Sequence, residues 1–158
     1  MKKAILFLAL SSFFLLPNTL CAQYAFPLPE FIKMTGQNAS DFETTMLEKD
    51  YSLQTKMSDA VNKIYTSDKK GAEGKPYTIA RKQVPGASVA LTFTTTDKKY
   101  YLDTKAKLAS SGYKFVKEEN KTVNNVPATW FHYTNGAYKV SICTYTTDLK
   151  WFVVEAHL

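Results

Sequence analysis

Thr129-Trp-Phe-His-Tyr-Thr-Asn-Gly-Ala-Tyr-Lys-Val-Ser-Ile-Cys-Thr-Tyr145 is the stretch on which the fold turns. Asn135-Gly136 lies between two runs of β-branched and aromatic residues, the strongest short hairpin cue, because a type I′ turn needs positive φ at both central residues. A two-residue loop there pairs Thr134 with Ala137, Tyr133 with Tyr138, Phe131 with Val140 and Thr129 with Ile142. The other face then pairs His132 with Lys139 and Trp130 with Ser141.

A second hairpin runs on to Trp151-Phe-Val-Val-Glu-Ala-His-Leu158. A three-residue loop at Thr147-Asp148-Leu149 sets Ile142 opposite Val154 and Val140 opposite Ala156. A two-residue loop would set Ile142 opposite Val153 and turn the core set outward. The inner face then carries Phe131, Tyr133, Tyr138, Val140, Ile142, Phe152, Val154, Ala156 and Leu158. The outer face carries Trp130, His132, Lys139, Ser141, Cys143, Tyr145, Trp151, Val153, Glu155 and His157. A solvated sheet face is ordinarily polar, so two Trp, a Tyr and a Val there need a reason. Either a second layer covers them, or this is really the core face, or the register is misassigned, or they form a recognition surface anchored by Trp130, Tyr145 and Trp151 and rimmed by His132, Lys139 and Glu155.

Upstream, Met1-Lys-Lys and the apolar run from Ala4 to Leu16 read as a secretory signal peptide, too short to span a membrane as a helix. Cleavage after Ala22 leaves Gln23 first. Cys21 offers a lipoprotein alternative, but Leu20 and Asn18 fit a lipidation signal poorly. Removing Lys2 and Lys3 from 20 basic residues leaves 18 against 14 acidic ones, or +4. The basic residues are mostly scattered lysines, and Arg81 is isolated, so the charge reads as solubility rather than a nucleic-acid footprint. Cys143 is left without an intramolecular partner and reads as a small buried apolar residue.

Residues 23–37, with Pro27, Pro29 and Gly36, read as an extended lead-in in which Glu30 to Met34 can form one helical turn. Ser40-Asp-Phe-Glu43 matches a capping box and opens a helix with Phe42, Met46 and Leu47 inward. Tyr51 to Met57 reads as a strand, and Val61 to Tyr65 fits either a strand or a helix. The glycines of Lys69-Lys-Gly-Ala-Glu-Gly-Lys75 match no phosphate-binding loop. Tyr77 to Val84 and Ala87 to Thr95 form a hairpin around Pro85-Gly86. A second helix runs from Asp97 to Ser111, burying Tyr101, Leu102, Ala106, Leu108 and Ala109 and stopping at Gly112. Tyr113 to Glu118 is a strand, and Glu119 to Pro127 a loop.

The two halves repeat one order of elements. Leu47-Glu-Lys-Asp-Tyr51 parallels Leu108-Ala-Ser-Ser-Gly-Tyr113, and Ile64-Tyr-Thr-Ser67 parallels His132-Tyr-Thr-Asn135. The expected fold is α+β: an antiparallel sheet of about eight strands from two α-β4 pseudo-repeats (about 38–96 and 97–158), with two helices on one face. This tandem helix-plus-four-strand plan behind a signal peptide resembles the β-lactamase inhibitory protein fold and the related SmpA/OmlA-type outer-membrane lipoprotein domains. The resemblance covers the mature chain in element order and length. It implies a sheet face that grips another protein; unlike those inhibitors, the mature chain has a single cysteine and no disulfide.

The residues argue against catalysis. A metal between His132 and His157 would meet the Lys139 ammonium in the same row. Cys143 lies about 9–10 Å along the strands from the nearest histidine. Ser141, Glu155 and His157 lack a nucleophile elbow and oxyanion donors. The expectation is thus an exported, periplasmic or extracellular, non-catalytic protein binder without metal or cofactor. The alternatives are a small-ligand binder with a pocket between sheet and helices, or a structural envelope component. Intact-mass measurement of the exported protein is expected to show a chain beginning at Gln23; a lipid-modified mass at Cys21 would replace that assignment.

Overall fold

The computed structural model describes residues 25–71, 74–123, 125–145 and 152–157. The expected signal peptide, Cys21, the loop at 147–149, Trp151 and Leu158 lie outside them. Three helices and eight strands follow one another: α1 (Leu28–Met34), α2 (Ala39–Glu48), β1 (Tyr51–Leu53), β2 (Asn62–Lys70), β3 (Pro76–Lys82), β4 (Ala90–Thr95), α3 (Lys98–Ser110), β5 (Lys114–Val123), β6 (Val126–Thr134), β7 (Lys139–Tyr145) and β8 (Phe152–His157). The strands form one antiparallel sheet in the order β1-β2-β3-β4-β8-β7-β6-β5. Two four-stranded meanders therefore meet at the β4–β8 seam, where Leu91 faces Ala156 and Phe93 faces Val154.

Alternation along the strands sends one set of side chains toward the helices. Tyr65, Tyr77, Ile79, Leu91, Phe93, Val140, Ile142, Val154 and Ala156 join Phe31, Met34, Phe42, Met46, Tyr101 and Leu108 in one buried cluster. All three helices thus pack on the same face. Arg81 also points inward: its Nη2 donates to the Gln37 carbonyl at 3.3 Å, and its guanidinium lies 5.6 Å from the Phe42 ring centre.

Several local expectations are corrected. The lead-in is not extended throughout, because 28–34 forms α1. Pro29 sits in the first turn, where an absent N–H costs nothing, and the helix buries Leu28, Phe31, Ile32 and Met34. Helix α2 begins earlier than Ser40: Asn38 is its N-cap and accepts from the Asp41 N–H at 2.9 Å. Leu47 is 65 % exposed, since only Phe42 and Met46 face the sheet. In α3 the buried stripe is Tyr101, Thr104 and Leu108, which leaves Leu102, Ala106 and Ala109 outside. The 51–57 segment divides into a three-residue strand and one 3₁₀ turn (Thr55–Met57), and 62–70 is a strand.

The larger corrections concern the C-terminal half. Strand β5 continues through the expected 119–127 loop, and Val123 pairs with Val126 across a tight turn in which Asn125 has φ 63°. The β6–β7 loop is four residues long, with Thr134 opposite Lys139, Tyr133 opposite Val140 and Phe131 opposite Ile142. Asn135 keeps a negative φ and uses Oδ1 to accept from the Ala137 and Tyr138 N–H groups, so only Gly136 is left-handed and no type I′ turn forms. The register moves by two residues, which preserves the faces. Pairing of Ile142 with Val154 and Val140 with Ala156 is as expected.

Ile142→Ala, at the centre of the core, is expected to cost about 2–5 kcal/mol in urea unfolding, whereas Leu47→Ala changes stability by less than about 0.5 kcal/mol. Similar losses at both positions would contradict the packing described.

Candidate functional site

No described helix lies on the outer face of the sheet, yet strand β7 is buried on both sides along Val140-Ser-Ile-Cys143. The inward side is covered by helices. The outward side is covered by neighbouring side chains, because small residues alternate there with large ones. Cys143 pairs with Trp130 and Val153, and Ala128 pairs with Tyr145. Ala128, Cys143 and Val153 form a buried floor, against which Val123, Trp130 and Tyr145 pack while remaining half-buried. Trp130 Nε1 is shielded from solvent and has no hydrogen-bond acceptor among the described residues. An unmade bond on a buried donor is uncommon in a folded chain and marks this ring as unusual.

Beside the apolar cluster runs a polar chain. His132 lies between Ser141 of β7 and Lys117 of β5 in the strand ladder. Its Nδ1 is 2.8 Å from Ser141 Oγ and its Nε2 is 3.2 Å from Glu119 Oε2. Glu119 Oε2 also receives Lys121 Nζ at 2.9 Å and Lys117 Nζ at 3.1 Å. Hydrogen bonds from Lys121 and then Lys117 lower the Glu119 carboxyl to about 2. An ionised carboxylate only accepts, so Nε2 carries a proton. In the neutral ring Nδ1 then accepts from the Ser141 hydroxyl. The His132 ring lies parallel to Trp130, with 6.4 Å between centres, which fixes the edge of the apolar cluster.

A serine, a histidine and a carboxylate in sequence invite comparison with a hydrolytic triad. Ser141 is only 5 % exposed, and Glu119 is already neutralised by two lysines. Adjacent strand amides are committed to the sheet ladder, whereas acyl transfer needs free donors aimed at the oxyanion. Burial, followed by the Glu155 charge, pushes the Cys143 thiol up to about 12, so it remains a thiol at neutral pH. Among the described residues no group of three His, Cys, Asp or Glu is placed to hold a metal ion.

The expected site residues divide clearly. Trp130, Tyr145, His132 and Glu155 share one continuous outer patch, and Trp151 lies outside the described residues. Lys139 is also on this face, but it pairs with His157 and Thr134. The expected His132–Lys139–His157 row is therefore corrected: the longer β6–β7 loop places Ser141, rather than Lys139, beside His132. Lys117, Glu119 and Lys121 were missed because their segment was read partly as a loop. Their period-two spacing and the Val-Asn-Asn-Val126 turn were the available signals.

Glu155 sits opposite both Ser141 and Thr92. Burial raises its carboxyl above the ordinary range, an effect partly offset by Lys121 and Lys82. No ion pair or side-chain hydrogen bond among the described residues engages it. Comparison of the chain with protein-family models, curated proteins and solved structures returns no match.

Because Glu155 binds its proton more tightly in the folded state than in the unfolded one, its stability contribution is complete below the unfolded carboxyl pKa of about 4.3 and is lost as pH rises through the folded value. Glu155→Gln is accordingly expected to raise Tm at pH 7, with the gain shrinking toward zero below about pH 4. A variant less stable than the parent at pH 7 would show that Glu155 has a compensating partner.

Proposed function

We propose that the chain is an exported, non-catalytic binding protein that takes another protein on the outer face of β5–β8. The observation that carries this reading is the apolar cluster around Trp130 and Tyr145 on a sheet face that no described helix covers. Its anatomy is that of a recognition patch: an aromatic and aliphatic centre over a small-residue floor, bordered by charged groups. Trp130 brings a large rigid ring, half-buried on the Ala128–Cys143–Val153 floor. Glu155 brings a carboxylate that a partner's cation or donor would satisfy.

The border also sets the partner's charge. Among the described residues of β5–β8, four lysines on this face (Lys114, Lys117, Lys121 and Lys139) outnumber two glutamates, Glu119 and Glu155. A partner with a net acidic surface would be steered toward it, most strongly at low salt. The apolar amino-terminal run supports export, and among the described residues no helix is long and apolar enough to cross a membrane.

Immobilised mature protein is expected to retain one stoichiometric partner from an envelope or culture extract. Trp130→Ala weakens that complex by about 2 kcal/mol or more, while Leu102→Ser, on the exposed side of α3, leaves it unchanged. Equal retention by both variants would remove the outer face from the interaction. A collapse of Tm in Trp130→Ala would assign that ring to folding instead.

A further inference from the structure

On the helix side of the sheet, a groove of about 330 Å³ opens between α1, the end of α3 and the β6–β7 loop. We infer that this groove is a binding site for a small amphipathic carboxylate, with an apolar or aromatic body on its floor and the carboxylate at Lys33. The inference is independent of the outer-face reading, because none of the groove's residues belongs to that patch.

The floor is Leu28 and Ile32, one helical turn apart on α1 and both buried. Tyr113 and Tyr138 supply half-buried aromatic walls. Burial, and then the neighbouring Tyr138, push the Tyr113 phenol up, consistent with two neutral rings side by side. Flat aromatic walls over an aliphatic floor suit a ring or a short chain, and the volume corresponds to on the order of ten water molecules.

The polar groups of the groove are biased toward donation. Among the described residues, Lys33 is the only charged one in the lining, no carboxylate lines it, and no ion pair engages the Lys33 ammonium. Asn135 has its carbonyl oxygen committed to the Ala137 and Tyr138 amides, which leaves its NH₂ as the group it can offer. Ser111 adds a hydroxyl. The carboxyl end of α3 would oppose an anion, but part of that charge is already met: the Leu108 carbonyl accepts from the Ser111 and Tyr113 N–H groups, and the Lys107 carbonyl from Ser110 Oγ. An ammonium, an amide and a hydroxyl in the lining of an apolar groove match a carboxylate. They match neither a cation nor a wholly apolar guest.

The walls are also held in place before any ligand arrives. Gly112 takes the left-handed conformation (φ 78°) that ends α3 and delivers Tyr113. The Thr134 hydroxyl donates to the Tyr138 carbonyl at 3.0 Å and accepts from the Gly136 N–H at 3.1 Å, fixing the loop that carries Tyr138. A preformed site loses less to ordering on binding.

Three probes that differ only in their head group test this on the full mature protein: 4-phenylbutyrate, 4-phenylbutanamide and 4-phenylbutylamine, titrated by amide NMR. The carboxylate is expected to give saturable shifts confined to residues 28–33, 111–113 and 135–138. The amide binds about three- to five-fold more weakly, as for one exposed charge contact, and the amine more weakly still. Lys33 is exposed, so Lys33→Met folds normally and abolishes the preference for carboxylate over amide. Absence of saturable shifts in those three segments, or shifts centred on the Trp130 indole instead, overturns the site. Equal affinity for carboxylate and amine, or a preference that survives Lys33→Met, overturns the ligand class.

Discussion

The β4–β8 seam is the contact on which the rest of the molecule depends. It joins residues 90–95 to 152–157, so the final described strand lies in the middle of the sheet rather than at its edge. Each meander could form from local hairpins, but the seam brings together strands separated by α3 and three intervening strands. Its cost is therefore loop-closure entropy, offset by burial of Leu91, Phe93, Val154 and Ala156 beneath the helices. Once it forms, α1 and α3 both reach β8, and the two halves share one core.

The same seam makes the outer face continuous. Glu155 and Val153 of β8 meet Thr92 and Thr94 on one side and Ser141 and Cys143 on the other. Without β8 in the centre, the Trp130 cluster would lack Val153 as part of its floor, and Glu155 would not be desolvated. The architecture thus sets the chemistry of the patch: a central strand loses solvent on both flanks, and residues on it are buried by neighbours on a face that no described helix covers.

Much of this was legible because period-two alternation is robust. The division of 130–157 into inner and outer sets holds wherever the side chain is described, even though the hairpin register was off by two. A shift of two leaves each residue on its own face, and the second hairpin's register was constrained by the core set itself. Turn chemistry was less legible. Asn135-Gly136 looks like a type I′ pair, but Asn135 can also bond its own downstream amides, and that longer loop won. The 119–127 segment failed for a related reason. Its lysines, glutamates and asparagines have low strand propensity, yet β5 is an edge strand whose pairing with β6 overrides propensity. The Glu119–His132–Ser141 chain was hidden by both errors together. In the helices, Leu47 and Leu102 were assigned inward by hydrophobicity alone, whereas packing on a flat sheet selects a narrow stripe and leaves some leucines in water.

The two edges of the sheet are protected from pairing in different ways. One edge, β1, has three residues and runs into a 3₁₀ turn, which leaves little ladder to extend. The other, β5, has ten residues, the length at which an open edge invites strand addition. Its sequence opposes that outcome: Lys114, Lys117 and Lys121 recur along it, and the ladder is irregular between Phe115 and Lys117. Charge and a bulge are the usual means of discouraging edge-to-edge pairing. Yet the same lysines also point toward the outer face, where two of them hold Glu119 against His132 and so border the Trp130 cluster. A single set of side chains therefore both discourages pairing at the edge and borders the apolar cluster on the face.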